Sequence, residues 1–222
     1  MSKSYAVIGL GRFGTSVART LHSLGQEVLA IDTSEERLKY LADDVTHTLV
    51  ADTTDVNVLK SLGISNFDVV IVSIGENVQA SIMTTMLLKE LGVKYVVAKA
   101  LNKMQGKVLE KIGADRVVYP ERDMGKRVAH SLVAPNMVDY IELAQGFRIM
   151  EVIAGREMFG KNLRSLNLRA KYNANVLLIK RIGGEVIYTP GPDDAIQMGD
   201  VLLVAGERDA LNQFEQHFDR LK

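Results

Sequence analysis

The chain has 222 residues, 47% of them apolar and 24% charged, a balance that supports a globular core. Lys+Arg and Asp+Glu both number 27, so there is no net basic surplus of the kind that nucleic acid as the main partner would require. Cysteine is absent, which removes disulfides and thiolate chemistry, and the longest apolar stretches, such as Val69 to Ile74, fall far short of the roughly 18–20 residues that span a bilayer.

Met1-Ser2-Lys3-Ser4 leads straight into a first strand at Tyr5–Ile8, and no signal peptide is expected. A helix follows over Phe13–Leu24, with Val17, Leu21 and Leu24 on one face. The second strand, Val28–Ile31, ends at Asp32, and Ser34 before Glu35, Glu36 and Arg37 reads as a capped helix start. Further strands are expected at Thr48–Val50, Val69–Val72, Tyr95–Ala98 and Val117–Tyr119. Helical stretches between them stop at Gly63, Gly92 and Gly113, the last two running Ala80–Leu91 and Val108–Ile112. Strands apolar on both faces, alternating with helices, predict an α/β fold: a Rossmann-type doubly wound parallel sheet.

From Asp123 the rhythm changes. Met124–Leu132 reads as one more helix, ended by Ala134-Pro135-Asn136. Strand-like pieces follow at Tyr140–Leu143, Ile149–Ala154, Val176–Lys180 and Val201–Ala205. Ile182-Gly183-Gly184-Glu185 is a hairpin turn leading into Val186–Tyr188, and Asp209–Phe218 is a closing amphipathic helix. The expected organisation is a nucleotide-binding domain over 1–123, a crossover helix and linker over 124–138, and a small α+β domain over 139–222. A domain that small is expected to dimerise, because it buries little of its own apolar surface.

Gly9-Leu10-Gly11-Arg12-Phe13-Gly14 is a G-x-G-x-x-G motif. Alone it is a weak signal; between a strand and a helix, with Asp32 at the end of the second strand, it becomes specific. Gly9 permits the tight turn, Gly11 lets backbone approach a phosphate, and Gly14 packs helix on sheet. Asp32 can accept from ribose hydroxyls and repels a 2′-phosphate. Arg12 is a bidentate phosphate clamp that suits a terminal phosphate, unless it points to solvent.

Ligands in open α/β sheets lie beyond the carboxyl ends of the strands, which makes each strand end a candidate. Asp52, with Thr53 beside it, is either an acceptor for an adenine amino group or a helix cap. Ile74, Gly75 and Glu76 allow close approach to an adenosine. Lys99, followed by Ala100, places a cation near the phosphates. Glu121 either helps hold a divalent cation (Mg or Ca), meets a neighbouring subunit's nucleotide, or, like Asp123, offsets a helix dipole.

No proton donor is placed for catalysis. The four histidines, His22, His47, His130 and His217, follow no cleft-facing strand end. Tyr95 and Lys99 match Y-x-x-x-K, but that pairing works on a helix; on the expected strand they would lie about 13 Å apart. The residues therefore favour nucleotide sensing over turnover. An NAD(H)-binding redox sensor or small oxidoreductase is the alternative, and an empty-cleft scaffold is a third.

Four segments carry a family resemblance: AVIGLGRFG; NFDVVIVSIGENVQASIMTTMLLKELG; KVLEKIGADRVVYPERDMGKRVAHSL; and NLRAKYNANVLLIKR. Over essentially its full length the chain resembles the RCK (regulator of potassium conductance) subunits of Ktr/Trk-type potassium transporters. The resemblance implies an RCK N-terminal domain followed by an RCK C-terminal domain, and a cytoplasmic homo-octameric ring of dimers, peripheral to the inner face of the membrane. That ring binds ATP or ADP and gates a membrane potassium-translocating subunit. Carried over, Arg12 contacts terminal phosphates, Asp32, Thr33 and Ser34 hold ribose, and Asp52 with Thr53 forms the adenine region. Ile74 to Glu76 and Lys99, Ala100 and Leu101 line the cleft, and Glu121 sits near the divalent-cation site. Two departures stand out. The family's Gly-Asp-Ala-Thr is Ala51-Asp52-Thr53-Thr54 here, and Gln105 replaces a frequent His. In the second domain Arg169, Ala170, Lys171, Asn175, Val176 and Pro192 match the region where similar proteins bind cyclic di-AMP; Arg169 and Lys171 read as cations in a polar loop. A plain dimerisation domain is the alternative there.

Overall fold

A computed structural model describes residues 3–133, 137–144 and 146–218, and the chain divides into two compact units, Met1–Asp123 and Met124–Lys222. The first unit carries β1 (Ser4–Ile8), α1 (Arg12–Ser23), β2 (Glu27–Asp32), α2 (Glu35–Lys39), β3 (His47–Val50) and α3 (Val56–Ser61). It continues with β4 (Val69–Val72), α4 (Val78–Glu90), β5 (Val96–Lys99), α5 (Lys103–Lys111) and β6 (Arg116–Val118). All six strands are parallel, in the order β3-β2-β1-β4-β5-β6, the doubly wound Rossmann-type sheet expected. The order reverses between β1 and β4, and the crevice at that switch point is where such sheets hold ligands.

Strand periodicity builds two cores, one on each face of the sheet. Ala6 and Ile8 of β1 join Ile31, Val70, Val72, Leu59 and Leu88 on one side. Val7 joins Val28, Ala30, Ile71, Ala18, Leu38 and Leu41 on the other. Each such buried aliphatic side chain contributes roughly 1.5–3 kcal/mol.

Side-chain caps set the helix starts. Ser34 Oγ accepts from the Arg37 N–H, Asp55 from Asn57, Asn77 from Ala80 and Asn102 from Gln105. The caps at Asn77 and Asn102 explain why α4 and α5 begin earlier than the apolar pattern predicted. α6 (Pro120–Val133) likewise starts before Met124, with proline at its first position and Glu121 and Asp123 in its first turn. The expected helix stop at 134–136 lies outside the described residues.

The second unit holds β7 (Met137–Ala144), β8 (Phe147–Ile153), α7 (Leu163–Leu166), α8 (Leu168–Tyr172), β9 (Asn175–Lys180), β10 (Val186–Tyr188), β11 (Val201–Glu207) and α9 (Arg208–Phe218). Its sheet is antiparallel, in the order β10-β9-β11-β8-β7. Met150, Val152, Ile179, Leu202 and Val204 face Leu166, Leu168, Leu211 and Phe214 across one core. The expected hairpin joins β9 and β10, with the Arg181 N–H donating to the Glu185 carbonyl at 2.9 Å. One expectation is corrected: Arg169 and Lys171 sit on α8, with Ala170 between them, not in a polar loop. Asn167 and Asn173, both at φ +48°, bracket that turn of helix, because asparagine tolerates the left-handed conformation. No described helix is long and apolar enough to cross a membrane.

Candidate functional site

A cleft of about 910 Å³ opens at the carboxyl ends of the parallel strands. One end is built by the glycine loop. Gly9 adopts φ +89°, and a side chain there would meet the Ile74 backbone N at 2.9 Å. A Cβ on Gly14 would run into the Gly9 carbonyl and Ser73 Oγ, and Ser73 Oγ donates to that carbonyl at 2.7 Å. Gly11 differs: a Cβ there would meet nothing within 4 Å, so its bare backbone faces open space. Gly11 caps α1 without a side-chain hydrogen bond, and the first turn carries no acid. The N–H groups at this helix start therefore face no competing side-chain acceptor, which suits an anion.

Asp32 is a hub. Its Oδ2 accepts from the Leu10 N–H at 2.6 Å and its Oδ1 from the Ser34 N–H at 2.9 Å, fastening the glycine loop to the cap of α2. Arg37 Nη1 approaches the same Oδ2 at 3.4 Å. A carboxylate has about four acceptor positions, so room for a ribose hydroxyl remains.

The far side is made by β3, β4, β5 and α6. Asp52 is not the cap of α3; Asp55 is. Asp52 Oδ1 instead accepts from the Thr54 N–H at 2.9 Å and the Thr54 hydroxyl at 2.7 Å. The Thr54 backbone and then its hydroxyl hold the Asp52 carboxyl below its ordinary value. Lys99, at the end of β5, is buried, and its Nζ donates to Glu121 Oε1 at 2.6 Å. That hydrogen bond outweighs burial and keeps the Glu121 carboxyl below its ordinary value.

The structure brings Gly9, Gly11, Arg12, Phe13, Asp32, Thr33, Ser34, Asp52, Thr53, Ile74, Gly75, Glu76, Lys99 and Glu121 together around this cleft. Gly14 packs beneath it. Ala100, expected from the strand-end rule, and Leu101 and Gln105, implied by the resemblance, are not among the residues that line it. The Ala100 N–H bonds to the Val118 carbonyl, so the chain continues along the sheet toward β6. Gln105 is buried on α5, its Oε1 accepting from the Leu101 N–H at 2.9 Å. Leu10, Arg37, Thr54, Ser73, Asn77 and Ala80 also line the cleft and were not anticipated. Arg37 had a signal, since it lies three residues beyond the Ser34 cap and so shares its helix face.

The divalent-cation reading gains no ready-made site. Among the described residues no three His, Asp or Glu side chains cluster as metal ligands, and Glu121 is already paired with Lys99. In the second unit Arg169, Ala170 and Lys171 are exposed on α8, Asn175 is exposed at the start of β9, and half-buried Val176 pairs in register with Val204. Pro192 lies in the loop before β11, its carbonyl accepting from the Arg164 N–H at 2.7 Å.

Sheet, glycine loop and strand-end acids define a two-unit protein whose first unit is a Rossmann-type nucleotide-binding module. Residues 5–120 match the TrkA-N domain and residues 147–219 the TrkA-C domain. The chain is 48% identical over 216 residues to the Ktr system potassium uptake protein C of Bacillus subtilis, covering 97% of both chains. It is 46% identical over 214 residues to the Ktr system potassium uptake protein A of the same organism, covering 96% of both. Among solved structures the GsuK channel shares the fold at a TM-score of 0.71 and 17% identity, over 98% of this chain and 40% of that one. The chain belongs to the TrkA-N/TrkA-C family of Ktr potassium uptake proteins.

Proposed function

We propose that this chain is the nucleotide-sensing regulatory subunit of a Ktr-type potassium uptake system, with ATP and ADP as the ligands of the cleft and no catalytic turnover. The observation that carries this reading is the state of the three cations around the cleft. Arg37 is paired with Asp32 and Lys99 with Glu121, whereas Arg12, exposed at the first position of α1, has no side-chain partner among the described residues. An open guanidinium at a helix N-terminus suits the extra charge of a terminal phosphate. The described residues lining the cleft include no His or Tyr to serve as a proton donor beside a nicotinamide, which favours sensing over redox chemistry.

In this reading copies of the chain assemble as dimers into an octameric ring on the cytoplasmic face of the membrane. The ring gates a potassium-translocating subunit, and what supports a role in potassium transport is that the relatives are named as Ktr system potassium uptake proteins. A divalent cation at Glu121 would draw most of its ligands from nucleotide phosphates. Cyclic di-AMP at the second unit would use Arg169 and Lys171 as phosphate partners. A ligand shifts such a gate only through different affinities for its two states. Calorimetric titration with ATP, ADP, NADH and cyclic di-AMP tests the reading: ATP and ADP bind and NADH binds more weakly. Tight NADH binding without an ATP response would replace it with the redox-sensor alternative.

A further inference from the structure

The second unit holds a cavity of about 600 Å³ between the turn that joins β9 to β10 and the loop that leads into β11. Arg181, Ile182 and Glu185 line one side, and Gln197, Met198 and Asp200 the other. Neither the residues of the nucleotide cleft nor Arg169, Lys171, Asn175 and Pro192 line it. Hydrogen bonds fix both walls. The Arg181 N–H donates to the Glu185 carbonyl at 2.9 Å, and the Asp200 N–H to the Gln197 carbonyl at 3.2 Å. Ile182 lies along the Gly199 backbone: a Cβ on Gly199, at φ +79°, would run into the Ile182 side chain.

Asp200 is the anchor. It is 1% exposed, and Arg181 Nη1 and the Gln197 N–H both donate to its Oδ2. Its Oδ1 has no partner among the described residues and is not sealed off from the cavity. A buried carboxylate oxygen without a donor calls for one. The charges point the same way. Arg181 offsets Asp200, and its Nη2 is taken by the Ala195 carbonyl at 3.1 Å. Glu185, exposed at the rim, forms no ion pair among the described residues. The lining therefore carries one uncompensated negative charge. Ile182 and Met198, 76% and 73% exposed, add apolar surface beside it.

We infer that this cavity binds a small free primary alkylammonium, its head donating to Asp200 Oδ1, its stem covered by Ile182 and Met198, and its charge balanced by Glu185. The lining selects this class against others. A guanidinium binds best across two carboxylate oxygens, and Oδ2 already accepts twice; a compact ammonium needs only one. A bare divalent cation takes about six oxygens or more, and no three His, Asp or Glu side chains cluster for one among the described residues. An anion meets two carboxylates, and a neutral alcohol leaves Glu185 without a counter-charge.

The test is saturation-transfer NMR of the full chain, which reads weak binding from the ligand's own signals. The probes are 1-butylammonium, 1-butanol and butylguanidinium at constant ionic strength. The wild type binds 1-butylammonium at least about fivefold more tightly than 1-butanol, and about threefold more tightly than butylguanidinium. Glu185→Gln changes an exposed rim residue, so the fold is kept; it weakens 1-butylammonium about threefold and leaves 1-butanol unchanged. Asp200→Asn abolishes the preference for the charged probe if the variant folds, and Glu185→Gln decides the question if it does not. Equal affinities for 1-butylammonium and 1-butanol, tighter binding of butylguanidinium, or wild-type binding of 1-butylammonium by Glu185→Gln would overturn the assignment.

Discussion

Lys99 Nζ lies 2.6 Å from Glu121 Oε1, joining the end of the fifth strand to the first turn of α6 across 22 residues of sequence. The pair is asymmetric: the lysine side chain is 10% exposed and the glutamate 65%. Breaking it leaves a nearly buried cation without its counter-charge. Glu121→Gln is expected to destabilise the fold by about 1–2 kcal/mol, less than for a fully buried pair because water screens the glutamate. It also frees Lys99 for phosphate. With divalent cations chelated, Glu121→Gln should bind ATP several-fold more tightly than wild type by calorimetry, and weaker binding would remove Lys99 from the phosphate site.

The same pair sets a pH dependence. The folded-state pKa of Glu121 is lowered from 4.5, chiefly by the Lys99 hydrogen bond, and that of Asp52 is lowered from 3.8 by Thr54. A depressed carboxyl pKa stabilises the fold above the unfolded value, and that contribution is lost as pH falls through the folded one. Denaturant melts should show no loss from these groups between neutral pH and pH ~5, then a decline as pH drops below the two ordinary values. In Glu121→Gln the acid decline should be shallower.

Arg12→Ala tests the terminal-phosphate clamp. Removing one charge-assisted contact costs roughly 1.5–3 kcal/mol, or more than tenfold in affinity. The loss should fall on ATP, with ADP changed less than about threefold. Equal losses for both ligands would detach Arg12 from the terminal phosphate.

Gly11 and Gly14 should separate binding from folding. A methyl group on Gly14 meets the Gly9 carbonyl and Ser73, so Gly14→Ala is expected to lower stability by about 1–3 kcal/mol through overpacking. A methyl group on Gly11 meets no protein atom within 4 Å, so Gly11→Ala should leave the melting temperature nearly unchanged. Its effect should appear as a tenfold or greater fall in nucleotide affinity, because the methyl group fills the space a phosphate would approach.

In the second unit Arg181 Nη1 pairs with Asp200 Oδ2 at 2.5 Å, and Asp200 is 1% exposed. Asp200 Oδ2 also accepts from the Gln197 N–H at 2.7 Å. Arg181→Met strands a buried carboxylate and should cost about 3–5 kcal/mol in denaturant unfolding followed by near-ultraviolet dichroism. Nucleotide affinity of the first unit should be unchanged.

What the sequence determined alone was everything governed by near neighbours along the chain. Short apolar runs bounded by glycine stops located the six parallel strands, and the glycine loop with Asp32 located the cleft, because spacing within one strand–turn–helix unit fixes where those groups point. What only the tertiary structure decided was which distant groups meet. Lys99 with Glu121 and Thr53 with Thr84 are brought together by neighbouring strands and helices, and no periodicity in the chain encodes such a pair. The strand-end rule went too far at Ala100, whose backbone bonds to β6, and the resemblance went too far at Leu101 and Gln105, where the cap at Asn102 turns the chain into α5. The short helix bearing Arg169 and Lys171 was hidden for a related reason. Five residues between two left-handed asparagines are too few for a helical period to show, so packing of Leu168 in the core, rather than local propensity, holds that turn in place.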